Sequence, residues 1–324
     1  MGNNLNWFEQ LTGFKESSFE ETQSLLRFEG DTVFCPSSGK RYELGRFEMA
    51  SLADLRQRVQ NLGAASAESG VSTQISVVHA DAYQLHTQAQ AKGAVIQAAS
   101  QFNLLEMTSP HVTPEDGVTR YQHDYTQGPA CAMAAGPATL FRYYGILVDG
   151  RKGQTSTRQV NTLADLIKAL GIAGIQMRNG YAMISSEVLR ALNQKLQMVN
   201  AARREQLKAL LKVGVHWNTQ VTAKGAARDQ KVTQVFCSAL PIAYNQERST
   251  ELWAPFAQLV LEACYEATLC VGVLNARETG NPHVFLTRVG GGVFGNPAAW
   301  IDHAIDLAVE RTNLNGLHVV HVQR

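Results

Sequence analysis

Apolar residues recur with two different spacings along most of the chain. Short apolar runs typical of buried strands are predicted at residues 74–78, 94–98, 232–239, 270–274, 284–289 and 317–322. Between them Leu, Ile, Val and Ala return every three or four residues, which predicts helices at residues 82–91, 129–145, 253–269 and 297–311. Strands that alternate with helices form a mainly parallel sheet covered on both faces, so the pattern predicts an α/β fold.

The first part of the chain departs from this alternation. Residues 1–65 predict a small α+β extension, with strands at 32–34 and 42–47 and a helix that Ser51 caps and that runs through Leu62. Its residues do not decide between packing on the core and recognition of a partner.

Small and polar residues at 64–70 are the predicted linker to a larger domain, residues 71–324. Residues about 150–230 of that domain are more polar and mostly helical in spacing, and they contain no catalytic pattern. They predict a helical insertion in the domain.

Composition limits the class of protein. The chain has 324 residues, of which 45% are hydrophobic, so a well-buried core is expected. Its 29 Lys and Arg against 28 Asp and Glu give a net charge of +1, and this near-neutral field predicts neither nucleic-acid nor membrane partners. The start of the chain is polar and acidic, without an apolar signal stretch, and we therefore expect a cytoplasmic protein.

Five cysteines are present without a C-x-x-C pair, which disfavours disulfides and structural zinc. We expect no required metal and no cofactor. Any anionic ligand must be held by local groups, because the chain as a whole is nearly neutral.

The segment at residues 284–309 carries the most specific pattern. A buried strand leads into VGGGVFGNP, in which Asn296 is the predicted helix cap and Pro297 the first helical residue. Consecutive glycines let backbone N–H groups approach an anion, and a helix start adds partial positive charge. The pattern predicts a diphosphate cradle; the alternative is a tight connection between strand and helix.

Two common phosphate-binding motifs are absent from this segment. It lacks G-x-x-x-x-G-K-S/T, and its glycines do not have the G-x-G-x-x-G spacing. A phosphate-transfer enzyme is therefore disfavoured.

The same segment resembles the second phosphate-binding loop of macrodomains, the ADP-ribose-binding fold that includes poly(ADP-ribose) glycohydrolase. ISVVHADAYQLH, with Asp81, is similar to the macrodomain segment whose Asp holds the adenine amino group, and AVIQAASQFNLLEM is similar to the stretch that leads into the first ligand loop. The resemblance implies ADP-ribose as ligand or product and a mixed, mainly parallel sheet. The implied ligand-binding residues are Asp81, Ser100, Gln101, Phe102, Asn103, Gln127, Gly128, Gly290, Gly291, Gly292, Val293, Phe294 and Gly295.

The chain departs from the family pattern at the first loop. Gln97 and Ser100 stand where many macrodomains have Asn, and the Gly-Gly-Gly run followed by Gln-Glu-Glu of the glycohydrolase is absent. The resemblance is therefore to a divergent member of the ADP-ribosyl hydrolase type. Its expected partner is an ADP-ribosylated protein.

Carboxylates are concentrated in the loop after the second predicted core strand. Cleavage at the anomeric carbon of ADP-ribose builds oxocarbenium-like charge, which carboxylates can stabilise while orienting water or donating a proton. We expect Asp116 and Asp124 to be catalytic, with Glu106 as a supporting or alternative acid. The alternative is structural: Asp116 belongs to the turn at 114–117, and Asp124 bonds nearby backbone.

Two other functions remain open from the sequence. A non-catalytic ADP-ribose reader would share the binding residues and lack turnover. A cysteine hydrolase would use Cys131, in the first turn of a predicted helix, with His79, His111 or His123 as base.

Overall fold

The computed structural model describes residues 5–65, 72–312 and 316–323. Its strands are β1 Arg27–Glu29, β2 Thr32–Cys35, β3 Lys40–Glu43, β4 Arg46–Ser51, β5 Gln74–His79, β6 Val95–Ala99, β7 Leu147–Val148, β8 Arg151–Lys152, β9 Gln176–Arg178, β10 Tyr181–Met183, β11 Lys212–Gln220, β12 Lys231–Cys237, β13 His283–Leu286 and β14 His318–Gln323. Its α-helices are α1 Trp7–Thr12, α2 Phe19–Ser24, α3 Leu52–Ala65, α4 Ala82–Leu85, α5 Gln127–Ala134, α6 Gly136–Leu140, α7 Ala164–Leu170, α8 Ser186–Gln197, α9 Ala201–Lys208, α10 Thr250–Thr279 and α11 Ala298–Thr312.

A seven-stranded sheet organises these elements. Its strand order is β4-β11-β12-β6-β13-β14-β5. The pairings from β12 through β5 are parallel. At the other edge, β11 pairs antiparallel with both of its neighbours, β12 and β4. The predicted α/β class with a mainly parallel sheet is confirmed.

The long helix α10 packs along the sheet as the central helix of the core. Ser249 caps its start, where its hydroxyl accepts a hydrogen bond from the amide of Leu252, and Gly280 ends it in the left-handed conformation. An 18-residue window of this helix is apolar enough to cross a membrane, but 89% of that window is buried inside the protein. The predicted strand at 270–274 is wrong, because its apolar run belongs to this helix, which is buried on nearly all sides.

The predicted helix at 129–145 is divided. It begins two residues earlier, at Gln127, and α5 ends at Ala134, because the backbone of the following residue, Ala135, is not helical. Pro137 lies in the first turn of α6, where its missing N–H costs no helical hydrogen bond, and a π-helical turn at Phe141–Gly145 follows.

The N-terminal residues share the sheet and the core with the rest of the chain. Strand β4 pairs with β11 from Arg46 to Ser51, and Phe8 and Leu11 belong to the same buried cluster as α10. Of the two roles that the sequence left open for residues 1–65, the described part packs on the core, because its apolar side chains are buried against the larger domain. Most of the predicted linker, residues 66–70, lies outside the described residues.

The predicted helical insertion also contains part of the sheet. Helices α7, α8 and α9 lie in it as expected, but β11 fills residues 212–220. This strand is buried on both faces from Val213 to Trp217, so its sequence shows no alternation of apolar and polar residues.

A charged cluster joins α3, α9, α10 and α11. Arg56 contacts Glu205 at 2.7 Å and Glu266 at 2.5 Å, and Arg311 contacts Glu205 at 2.8 Å. The buried ammonium of Lys208 lies 3.2 Å from both Glu205 and Glu262. The cluster ties the N-terminal helix α3 to the main core.

Acid is expected to weaken this cluster. Partial burial raises the pKa of Glu205, but hydrogen bonds from Arg311 and Arg56 and the charge of Lys208 outweigh it and lower that pKa to about 2. A depressed pKa stabilises the fold fully above the unfolded value of about 4.3, and this stabilisation is lost as the pH falls towards 2. We expect the thermal midpoint of Glu205→Gln to be lower than that of the native chain at pH 6, with the difference shrinking by pH 3.

Glu187→Gln is the matched control, since Glu187 is exposed. It should leave the midpoint close to the native value at both pH values. A constant difference between Glu205→Gln and the native chain across this range would contradict the assignment.

Candidate active site

Two neighbouring cavities lie beyond the carboxyl ends of the parallel strands. The first, of about 240 Å³, lies between the end of β6, the start of α5 and the loop after β13. The second, of about 270 Å³, lies between α4, α5 and the end of β14. They share Thr126, Gln127, Thr287 and Arg288. This edge of an open parallel sheet is where ligands generally bind.

The glycine loop, residues 290–295, forms one wall of the first cavity. Gly290 has φ +80°, and a Cβ there would lie 2.3 Å from Cβ of Ala239, so only glycine fits. The loop is closed by hydrogen bonds from the amide of Gly295 to the carbonyl of Gly292, at 3.0 Å, and from the amide of Asn296 to the carbonyl of Gly290, at 2.9 Å.

Three successive amides of this loop have no internal partner. Within the described residues, the N–H groups of Gly292, Val293 and Phe294 donate no hydrogen bond, and all three residues line the cavity. Adjacent backbone N–H groups of this kind form a concave site for an anion. The predicted cap is corrected: the Asn296 side chain donates to the carbonyls of Leu240 and Gly290, and α11 begins at Ala298.

The start of α5 lies on another wall of the first cavity. A Cβ at Gly128 would lie 2.4 Å from the carbonyl oxygen of Ala99, so glycine allows the helix to approach the end of β6. The Gln127 side chain accepts a hydrogen bond from the amide of Ala99 and donates one to the carbonyl of Gln97. Because the first amides of a helix lack helical acceptors, this end adds positive potential to the cavity.

Glu106 lines the first cavity from a buried position. Its carboxylate lies 2.8 Å from the buried guanidinium of Arg142 and accepts a hydrogen bond of 3.0 Å from the hydroxyl of Tyr121. That hydroxyl is also 2.6 Å from the hydroxyl of Tyr143. Burial raises the pKa of Glu106, and the charge of Arg142 opposes the rise. A carboxyl with a raised pKa is a candidate for proton transfer.

Only one of the two predicted catalytic aspartates lies at the cavities. Asp124 lines the first cavity, and its Oδ1 accepts hydrogen bonds from the amide and hydroxyl of Thr126, at 2.8 and 2.6 Å. Asp116 lines neither cavity. Its carboxylate accepts from the amide of Thr113 at 2.8 Å and lies 3.7 Å from Arg120, so the turn interpretation applies to it.

Most of the predicted ligand-binding residues line one of the two cavities. Asp81 lies in the second cavity, where its Oδ1 also caps α4 by accepting from the amides of Tyr83 and Gln84. The first cavity contains Ser100, Gln101, Gln127, Gly128, Gly290, Gly292, Val293 and Phe294.

Four predicted residues do not line either cavity. Phe102 is buried in the core, and the side chain of Asn103 donates to Gln159. Gly291 lies against Ile301 of α11, and Gly295 lies against Ala243. Phe102 and Asn103 lie in the turn after β6, where the chain curls away from the cavity into the core.

Three site residues were missed by the sequence analysis. Tyr181 and Tyr244 pack around Phe294, with ring centroids 5.4 and 5.6 Å from it, and form an aromatic wall. Arg288 lies in the wall shared by both cavities, where it pairs with Asp302 at 2.5 Å. Only Arg288 had a usable signal, as the single charge in the run VFLTRVGGG.

Cys131 is not placed as a nucleophile. It is fully buried and lines neither cavity, and burial raises the pKa of its thiol well above the usual range. A thiol in such surroundings is inert, because the thiolate is the reactive form. Gln127, rather than a histidine, contacts its sulfur, at 3.0 Å.

Comparisons with known proteins give fold-level similarities only. No family model matches the chain, and no curated protein matches it. Among solved structures, a poly(ADP-ribose) glycohydrolase from Thermomonospora curvata is 17% identical, with 94% of this chain and 91% of that chain covered and a TM-score of 0.46. The Deinococcus radiodurans poly(ADP-ribose) glycohydrolase in complex with ADP-ribose is 11% identical, with 85% and 86% covered and a TM-score of 0.44. At these scores neither the family nor the activity of the chain follows from the likeness.

Proposed function

We propose that the chain binds ADP-ribose and hydrolyses the bond between its distal ribose and a modified protein. The observation that carries this proposal is the row of unpartnered amides at Gly292, Val293 and Phe294, which shares a cavity with the buried carboxyl of Glu106. An anion site beside a buried carboxyl with a raised pKa fits cleavage of a phosphate-bearing glycoside.

The two cavities fit the two ends of such a ligand. The diphosphate would lie on the amides of the glycine loop, with the start of α5 across from it. The adenine would lie towards Asp81 in the second cavity, and the distal ribose would lie beside Glu106 and Asp124. Arg288, in the shared wall, adds positive charge near the diphosphate.

The reaction would use Glu106 as the proton-transfer group. The bond from the anomeric carbon to the carrier breaks, and its electron pair leaves with the carrier, which takes the proton of Glu106. A water molecule adds to the oxocarbenium-like carbon and returns a proton to that carboxylate. Asp124 would orient the water or stabilise the positive ribose. This assignment moves the main acid role from Asp116 to Glu106.

Binding and turnover test the proposal separately. Calorimetric titration should give tighter binding of ADP-ribose than of AMP or NAD. Incubation of ADP-ribosylated protein with the chain should release free ADP-ribose. Binding without release at high protein concentration would favour the reader, and absence of binding would refute both. The carrier is proposed to be a cytoplasmic protein.

A further inference from the structure

A third cavity, of about 380 Å³, lies where the N-terminal residues meet the main domain. Its walls come from α1, β3, α4, α5 and the loop at residues 221–228 that follows β11. It lies apart from the first two cavities and shares no lining residue with them. Its volume is within the range of about 300–1,000 Å³ that is usual for small-molecule sites.

Positive charge is concentrated in this third cavity. Lys40, Lys224 and Arg228 line it, and no Asp or Glu in the described part of the chain does. None of the three forms an ion pair within the described residues; the ammonium of Lys40 donates to the carbonyl of Gln10. Nearby carboxylates are engaged elsewhere, since Glu43 pairs with Lys231 and Asp229 with Lys92. The cavity is therefore electropositive in a chain that is nearly neutral overall.

The third cavity also has aromatic walls. Trp7, Tyr42 and Tyr83 line the cavity. The indole N–H of Trp7 donates to the carbonyl of Thr119 at 3.3 Å, and the hydroxyl of Tyr42 donates to the carbonyl of Leu11 at 2.7 Å. The hydroxyl of Tyr83 accepts from the amide of Lys224 at 2.9 Å. These bonds fix the polar atoms of the side chains and hold the rings in place as walls.

We infer that this third cavity binds a nucleoside phosphate. Lysine and arginine side chains bind phosphate oxygens, and aromatic rings stack on a nucleobase with little dependence on its identity. The third cavity contains both cations without ion-pair partners among the described residues and aromatic rings fixed by hydrogen bonds, and a nucleoside phosphate contains the matching groups, a phosphate and a nucleobase. The ligand is either a free nucleotide or, if the proposed hydrolase function holds, a further ADP-ribose unit of the same substrate.

The third cavity adjoins the same helix as the first cavity, which bears on whether its ligand is a further ADP-ribose unit of the substrate. Helix α5 contributes Gly128 to the first cavity and Met133 to the third. The two residues are five positions apart, about 7.5 Å along the helix axis, so both cavities adjoin the same short helix, and a substrate of two linked units is the second source to test.

Fluorescence of Trp7 reports on this site directly. Titration with AMP should change the tryptophan emission, and Trp7→Phe should abolish the change, because the other three tryptophans lie outside the cavity. The double variant Lys224→Glu/Arg228→Glu should raise the Kd for AMP at least tenfold. Lys168→Glu/Lys195→Glu, an equal charge change at exposed residues outside this cavity, should leave the Kd unchanged.

Further measurements test the third cavity independently of the proposed function. In Val293→Pro, whose change lies in the first cavity, the AMP signal at Trp7 should persist. Loss of the signal in Val293→Pro with retention in Lys224→Glu/Arg228→Glu would overturn the inference, as would an equal response to inorganic phosphate alone. With a substrate of two linked ADP-ribose units, a higher KM for the Lys224→Glu/Arg228→Glu variant would identify a further unit of the substrate. An unchanged KM together with weakened AMP binding would identify a free nucleotide.

Discussion

Glu106→Gln is expected to lower kcat for release of ADP-ribose by about 10²- to 10⁴-fold, the usual contribution of a general acid–base group. The amide keeps the size of the side chain, and its one oxygen can still accept from Arg142 while its NH2 group donates to the hydroxyl of Tyr121, but it cannot release and recover a proton. Binding of ADP-ribose should change less than threefold, since the amides of the glycine loop hold the diphosphate. Single-turnover kinetics and calorimetry measure the two quantities.

The pH profile provides an independent readout. Because burial raises the pKa of Glu106, its protonated form persists to higher pH than that of an ordinary carboxyl. The rate should therefore fall as the pH rises through this elevated pKa. The same decrease in rate should be absent in Glu106→Gln.

Glu266→Gln serves as the matched control for a broken buried ion pair. Glu266 is also buried and paired with arginine, but it lies on α10 and lines neither the first nor the second cavity. It should lower stability and leave kcat unchanged. Equal losses of kcat in both variants, or full turnover in Glu106→Gln, would remove Glu106 from the mechanism.

Val293→Pro is expected to weaken ADP-ribose binding by about 10- to 100-fold. Proline lacks an N–H, so the change deletes one of the three unpartnered donors, and a hydrogen bond to a charged group contributes about 1.5–3 kcal/mol. Val293 is 58% exposed, so its side chain makes little contribution to the core. Calorimetry with ADP-ribose measures the loss.

Two variants control for the side chain and for the loop. Val293→Ala removes most of the side chain and keeps the amide, so it should bind as the native chain does. Gly292→Ala adds a Cβ where no heavy atom lies within 4 Å, and it keeps its amide as well. If all three variants bind equally well, the amide of Val293 does not contact the diphosphate.

The sequence predicted the sheet and the ligand loop more successfully than the helices and acids. The strand before the glycine loop was recognisable because a parallel strand is an unbroken apolar run. The same kind of run at 270–274 was misassigned, because a helix buried on all sides is also continuously apolar. Length and caps, at Ser249 and Gly280, distinguish the two cases.

The candidate site was predictable only where the local pattern determines the backbone. Gly290 has φ +80°, a turn conformation that favours glycine, so its position follows from the local pattern. The inclusion of Tyr181 depends on how distant segments pack, which no local spacing encodes. Arg142, which pairs with Glu106 across 36 positions, is of the same kind.

The pairing of β4 with β11 makes the N-terminal residues inseparable from the ligand-binding half. A chain shortened to begin at residue 71 would leave the outer amides and carbonyls of β11 without their six paired residues and would uncover the apolar surface beneath α3. Such an exposed edge invites association with other strands. We therefore expect the N-terminal residues to protect the main sheet against aggregation, and we expect the larger part to be insoluble when it is expressed separately.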